Sequence, residues 1–157
     1  MLGGMLSLLC WNSLLNLTNY FNHTISKDIY TYITWSFCFG GILSFILSPV
    51  MFYSIQNKKS LYLSLFLTFF TFLSVLLICN SYWVDLGIKK FLVIQGIFVM
   101  GFFSSFFQSK VFSIAASFSA MEIRFFNLGS GVMGFLSNVI YYLISIYYKS
   151  DTKDKEI

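Results

Sequence analysis

The feature that most constrains this chain is a series of long stretches that carry no formal charge, separated by short charged clusters. A helix rises about 1.5 Å per residue, so roughly 20 apolar residues cross a hydrocarbon core about 30 Å thick. Five stretches reach that length: about Leu2 to Tyr20, Ile29 to Ile55, Leu61 to Val84, Phe91 to Phe118 and Phe125 to Tyr148, the fourth interrupted only by Lys110. Asn22, His23, Lys27 and Asp28 mark the first link. Asn57, Lys58 and Lys59 mark the second, Asp85, Lys89 and Lys90 the third, and Glu122 and Arg124 the fourth. A polar tail covers 149–157. With 57% hydrophobic and only 10% charged residues, a folded chain has too few charges to cover its apolar surface in water. The reading is all-α: a single polytopic membrane helix bundle of about five transmembrane helices over 1–157, an integral, multi-pass protein of the plasma membrane or an internal membrane.

Charge and cysteine usage narrow the function classes. The formal charge of +4 comes from scattered lysines rather than a basic stripe, which argues against a nucleic-acid partner. Cys10, Cys38 and Cys79 lie inside apolar stretches without metal-ligand spacing and read as small hydrophobes. The lone His23 sits in a link, and no paired carboxylate or nucleophile with a base stands at recognisable spacing, so no catalytic residue, metal or cofactor is expected. The first stretch lacks the basic flank of a signal peptide and reads as a retained span. Pro49 is expected to kink the last turns of the second span. Orientation stays open, because Lys58, Lys59 and Arg124 on one side balance Lys27, Lys89 and Lys90 on the other. Asn22-His23-Thr24 matches a glycosylation acceptor but lies almost at the membrane.

Polar groups inside a span are costly, so they show where helices meet each other or water. In the first span Asn12, Asn16 and Asn19 recur at helical spacing beside a stripe of Leu8, Trp11, Leu15 and Thr18, and one of these faces looks into the bundle. In the fourth, Gly101, Ser104, Ser105, Gln108, Phe112 and Ala115 fall near one face. Lys110, two residues past Gln108, points about 200° around the helix and serves other surroundings. It is either functional at that depth, or it snorkels or lies over Phe103 and Phe106. Gly129, Gly131 and Gly134 form a G-x-G-x-x-G string without a preceding strand, which reads as room for a neighbouring helix rather than a dinucleotide loop. Asn127, Asn138 and Tyr141 continue its polar side.

Two collinear segments resemble a known family. Gly4, Leu8, Leu9, Trp11 and Asn12, followed by Tyr20 and Phe21, are similar to the first-span signature of the equilibrative nucleoside transporters; Gln108, Phe112 and Ala115, followed by Gly129, Gly131, Gly134 and Phe135, are similar to a second family segment. The match departs from the family pattern at Leu6, Cys10, Ser109, Lys110 and Ser130. The resemblance implies an eleven-span fold related to the major facilitator architecture, of which this chain covers roughly the first five spans. It also implies facilitated diffusion of nucleosides or nucleobases by alternating access. Trp11, Leu15, Gln108 and Phe112 would contact substrate, with Gln108 hydrogen-bonding the base. Asn12, Gly129, Gly131 and Gly134 would serve helix packing, and the carboxy-terminal spans would complete the site. Two other readings stay open: a transporter of a sugar or another small metabolite, and a non-transporting membrane subunit whose polar residues only pair helices.

Overall fold

The computed structural model describes residues 2–54 and 58–153. Among them are helices α1 (Leu2–Asn16), α2 (Thr18–Thr24), α3 (Ile29–Ser54), α4 (Lys58–Asn80), α5 (Leu86–Phe118) and α6 (Ala120–Lys153), with no strand. Three helices contain segments long and apolar enough to cross a membrane: Ile29–Ser48 in α3, Lys59–Asn80 in α4 and Leu86–Phe118, the whole of α5. α1, at 15 residues, spans only about 22 Å by itself. α6 is long enough, at 34 residues, but its first half carries Glu122, Arg124, Asn127 and Ser130.

The pattern of burial is inverted relative to a protein in water. Along α4 the buried positions are Ser60, Ser64, Thr68, Val75 and Cys79, while Leu63, Phe66, Phe70, Leu73 and Leu77 are exposed. α3 behaves alike, burying Ser36, Gly40, Ser44 and Ser48 and exposing Trp35, Phe39, Ile42 and Ile46. Both sets recur at steps of three, four or seven residues, so each helix turns a face of small residues, most often serine, inward and a large, apolar face outward. In lipid this is the stable arrangement, because hydrocarbon solvates the large side chains and small residues let backbones approach.

Helix directions follow from the pairs that meet. Ser36 Oγ donates to Ile94 O at 2.8 Å, Gly40 lies against Phe98 and Phe102, and Gly41 faces Ser105, so α3 and α5 run parallel. Lys89 reaches Cys79, Gly96 meets Val75 and Lys110 meets Ser60, so α4 and α5 run antiparallel. α1 is antiparallel to α5 through Gly3–Val111 and Ser7–Ser104, and parallel to α6 through Gly4–Phe126 and Asn16–Ser137. α5 is thus the central rod, with α3, α4, α1 and α6 around it.

Several boundaries differ from the sequence expectation. The first span is broken at Leu17, where Thr18 Oγ1 bonds Leu15 O at 2.6 Å, and α2 then carries Asn22, His23 and Thr24, expected in a link, within a helix. α4 stops at Asn80, leaving Tyr82 and Trp83 almost fully exposed in the turn. α5 starts five residues before Phe91, because Lys89 is not a loop residue: its amine lies 3.3 Å from the Cys79 carbonyl at the negative end of α4. Glu122 and Arg124 sit in the first turns of α6, with the extended residue Ser119 as the whole connection. α3 is helical through Pro49, and α6 continues past 149 to Lys153. Ile55 and Asn57 lie outside the described residues, as do Asp154, Lys155 and Glu156 of the tail.

The α3–α5 contact is tight enough to exclude side chains. A Cβ on Gly40 would intrude on the Phe98 carbonyl, and one on Gly101 would intrude on the Phe37 carbonyl. Gly131, in contrast, has open space at that point. Gly101→Val should destabilise the bundle by about 1–3 kcal/mol through overpacking, whereas Gly131→Ala should be neutral or add up to about 1 kcal/mol from the lower entropy cost of alanine in a helix. Thermal unfolding in a mild detergent, followed by size-exclusion retention, reads both; equal losses would contradict the packing described.

Candidate functional site

The sequence-selected residues gather around α1, because α1 lies in the angle between α5 and α6. A chain of hydroxyls and carbonyls fixes it there. Ser7 Oγ donates to Gly4 O at 2.7 Å, Ser104 Oγ of α5 donates to Ser7 O at 3.0 Å, and Ser130 Oγ of α6 donates to Gly4 O at 3.2 Å. A Cβ on Gly4 would intrude on the Phe126 carbonyl, so α1 and α6 touch backbone to backbone. Phe126 in turn meets Phe112 of α5 edge to face, with centroids 5.9 Å apart and planes at 76°. Gly4, Phe112 and Phe126 therefore form a three-helix corner.

Further along α1 the polar side chains divide. Asn16 Nδ2 donates to Ser137 O of α6 at 3.0 Å, a bond that ties the parallel helices together. One turn earlier, Asn12 Nδ2 is buried and has no hydrogen-bond partner, with the Cβ position of Gly134 3.9 Å away. Burying an amide without a partner costs about 1–3 kcal/mol, so the two asparagines have opposite energetic signs. The side chain of Asn19 lies outside the described residues.

Trp11 faces another way. Its ring stacks on Phe37 of α3 with centroids 4.3 Å apart and planes at 27°, closing the α1–α3 gap on one ring face. Leu15, one turn later, is half-buried, and Leu14 beside it is fully buried in the core. Gln108 is half-buried on α5. It lies one turn from Ser104 and one turn from Phe112, so helical geometry sets it on the side of α5 that meets α1 and α6. Gly129 is buried and Gly134 lies beside Asn12, while Gly131 meets no neighbour within 4 Å. The structure thus brings Asn12 to Gly134 and, about two turns away, Phe112 to Phe126 beside Gly4, and turns Trp11 toward α3.

Lys110 belongs to the opposite side of α5. Its amine bonds the Ser60 hydroxyl of α4 and lies 4.9 Å from the centre of the Phe106 ring. Ser60 is the third residue of α4, next to Lys58 and Lys59. Nineteen residues separate Lys110 from Phe91, which is about 28 Å along the helix and close to the full core thickness. Its level is that of the first turn of α4, at the opposite end of that helix from Lys89.

The sequence reading did not single out the packing surface of α3. Ser36, Gly40, Ser44 and Ser48 recur every four residues, a small-residue pattern that marks a helix-contact face, and Phe37 beside it receives Trp11. No protein-family model, curated protein or solved structure matches this chain.

The two asparagines give a direct test of the junction. Asn16→Ala should lower stability by about 0.6 kcal/mol and at most about 1.7 kcal/mol, the range for one interhelical hydrogen bond in a membrane. Asn12→Ala removes no bond and should leave the unfolding midpoint unchanged or raised. Steric trapping or chemical denaturation in bicelles measures both; a larger loss at Asn12 than at Asn16 would contradict these partners.

Proposed function

We propose that this chain is a multi-pass unit of a membrane transporter, with five crossings formed by α1–α2, α3, α4, α5 and α6, and that it moves nucleosides or nucleobases by alternating access. The observation that carries the reading is the meeting of its two family-like segments. Gly4 and Asn12 of the first lie against Phe126 and Gly134 of the second stretch of chain, more than 100 residues away, and Phe112 meets Phe126 at the Gly4 end of that contact. The alternating direction of the five rods supports the count of crossings. The unpartnered Asn12 amide supports a polar path, since a group left unsatisfied in a lipid-embedded bundle is one a polar solute can satisfy.

In this reading Gln108 donates to or accepts from the base, Phe112 and Leu15 give it apolar contact, and Trp11 offers the ring face turned away from Phe37. The five crossings make one wall of the cavity, and further spans, contributed by a carboxy-terminal half, make the other. A sugar or another small metabolite would meet the same groups, and competition by nucleosides against such solutes separates the two. A second reading, a non-transporting membrane subunit, draws on one specific observation: Asn16, Ser104 and Ser130 all donate to carbonyls of neighbouring helices and leave no side-chain donor hydrogen for a solute except on Asn16.

The span count is tested by single cysteines in a variant lacking Cys10, Cys38 and Cys79. Leu73→Cys, exposed on the apolar face of α4, should resist a water-soluble maleimide, and Tyr82→Cys in the turn should react fully. Rapid aqueous labelling at Leu73 would remove α4 from the membrane and with it the five-crossing arrangement.

Transport is tested by uptake into proteoliposomes. The 157-residue chain alone should give no saturable nucleoside uptake, and its complex with a complementary half should give it. In that complex Gln108→Ala should weaken nucleoside affinity several-fold to about tenfold, the equivalent of one hydrogen bond worth about 0.5–1.5 kcal/mol. Lys110→Met should lower membrane abundance and leave substrate choice unchanged. Unchanged affinities with Gln108→Ala, together with altered selectivity in Lys110→Met, would reverse the assignment of the two faces of α5.

A further inference from the structure

The outer surface of the α3–α5 pair carries a shallow, open apolar depression. Because the two helices run parallel and are drawn together at Gly40 and Gly101, their flanking side chains leave a groove of about 600 Å³. Its walls are Trp35, Phe39, Leu43 and Ile46 of α3 and Ile94 and Phe98 of α5. The one serine in it, Ser36, already donates its hydroxyl hydrogen to Ile94 O, so the floor holds no hydroxyl hydrogen for a polar solute. From Tyr32 to Ile46 the groove follows 14 residues of helix, about 21 Å. A hydrocarbon half-thickness is about 15 Å, so the groove takes an acyl chain from the headgroup level past the bilayer midplane.

One end of the groove is charged. Tyr32 lines it and also carries the Lys90 ammonium 4.5 Å from its ring centre, which holds that cation over the groove mouth. Lys90, Ile94 and Phe98 follow one another at four-residue spacing, so the cation and the apolar wall lie on the same stripe of α5. Lys89 is directed elsewhere, into the Cys79 carbonyl. In the connections from α2 to α3 and from α4 into α5 at this end, Lys27, Lys89 and Lys90 stand against Asp28 and Asp85, a net positive charge.

We infer that this groove is a binding site for one anionic glycerophospholipid of the surrounding bilayer, with an acyl chain between α3 and α5 and the phosphate at Lys90. A positive charge at one end of a shallow apolar groove of acyl length is the complement of that molecule. The site depends on the bundle lying in a membrane and does not depend on its carrying a solute.

Trp35 in the groove wall is the reporter. The full chain is reconstituted in phosphatidylcholine vesicles containing increasing fractions of mid-chain dibrominated phosphatidylglycerol or dibrominated phosphatidylcholine. The Trp35 signal is the difference between the native chain and Trp35→Phe. Brominated phosphatidylglycerol should quench it at about fivefold lower mole fraction than brominated phosphatidylcholine, the preference expected from one lysine at an anionic headgroup. Lys90→Gln should abolish that preference and retain quenching by phosphatidylcholine, Lys90→Arg should keep the preference, and Lys59→Gln at the other end of the bundle should leave it unchanged. Equal quenching by both lipids in the native chain, or a preference that survives Lys90→Gln, overturns the proposal. So does a Trp35 signal that neither lipid quenches, since the groove would then be covered by protein.

Discussion

The close approach of α3 and α5 is the constraint on which the rest of the bundle depends. Gly40 and Gly101 face each other's helix at points where any side chain would strike a backbone carbonyl, and Ser36 bonds directly to the α5 backbone. In lipid there is no water to drive apolar surfaces together, so contact of this kind, backbone on backbone with small residues between, supplies the cohesion. Once α5 is fixed against α3, the other helices take their positions from α5: α4 along its other flank and α1 across Ser104, with α6 following α1 through Gly4. The large apolar side chains contribute little to this order, because the lipid solvates them equally well outside.

The two lysines of α5 that turn toward α4 meet opposite ends of it. Lys89 reaches the carbonyl end, where a cation is favoured by the helix dipole, and Lys110 reaches Ser60 near the amino end, where it is not. The hydroxyl contact and the Phe106 ring are what compensate the second placement. α4 is therefore indexed along α5 at both ends, which fixes its axial register.

Much of the helical layout was legible in the sequence, because an uncharged stretch of membrane length has few other ways to fold. The starts of α3 and the end of α5 fall where the charge pattern put them. What misled was treating every charge as a mark of water. Lys89 and Lys90 belong to α5, and Glu122 and Arg124 to α6, since a long side chain on a helix can reach a carbonyl, a ring or the interface without ending the helix. Glycines were legible only in part: Gly4 and Gly101 stand among the residues singled out in the sequence and make backbone contacts, whereas Gly40, which meets the α5 backbone, was not, and Gly131 of the glycine string meets no neighbour. The missing information was which helix lies opposite, and the four-residue recurrence of Ser36, Gly40, Ser44 and Ser48 was the one available signal. For the candidate site, the separate directions of Gln108 and Lys110 follow from helical geometry alone. The difference between Asn12 and Asn16 does not, because it depends on where Ser137 lies on α6.

The parallel pairing of α1 with α6 has a consequence for how the protein is made. The carbonyl that receives the Asn16 amide belongs to a residue 121 positions later. At about 5–20 residues per second, a ribosome reaches it about 6–24 s after Asn16 is polymerised. For that interval Asn16 is in the nascent chain without the carbonyl it bonds, and helices α3 to α5 emerge first. The α1–α6 contact therefore forms only after α3, α4 and α5 have been made, and until then the Asn16 amide lacks the carbonyl it donates to in the folded bundle.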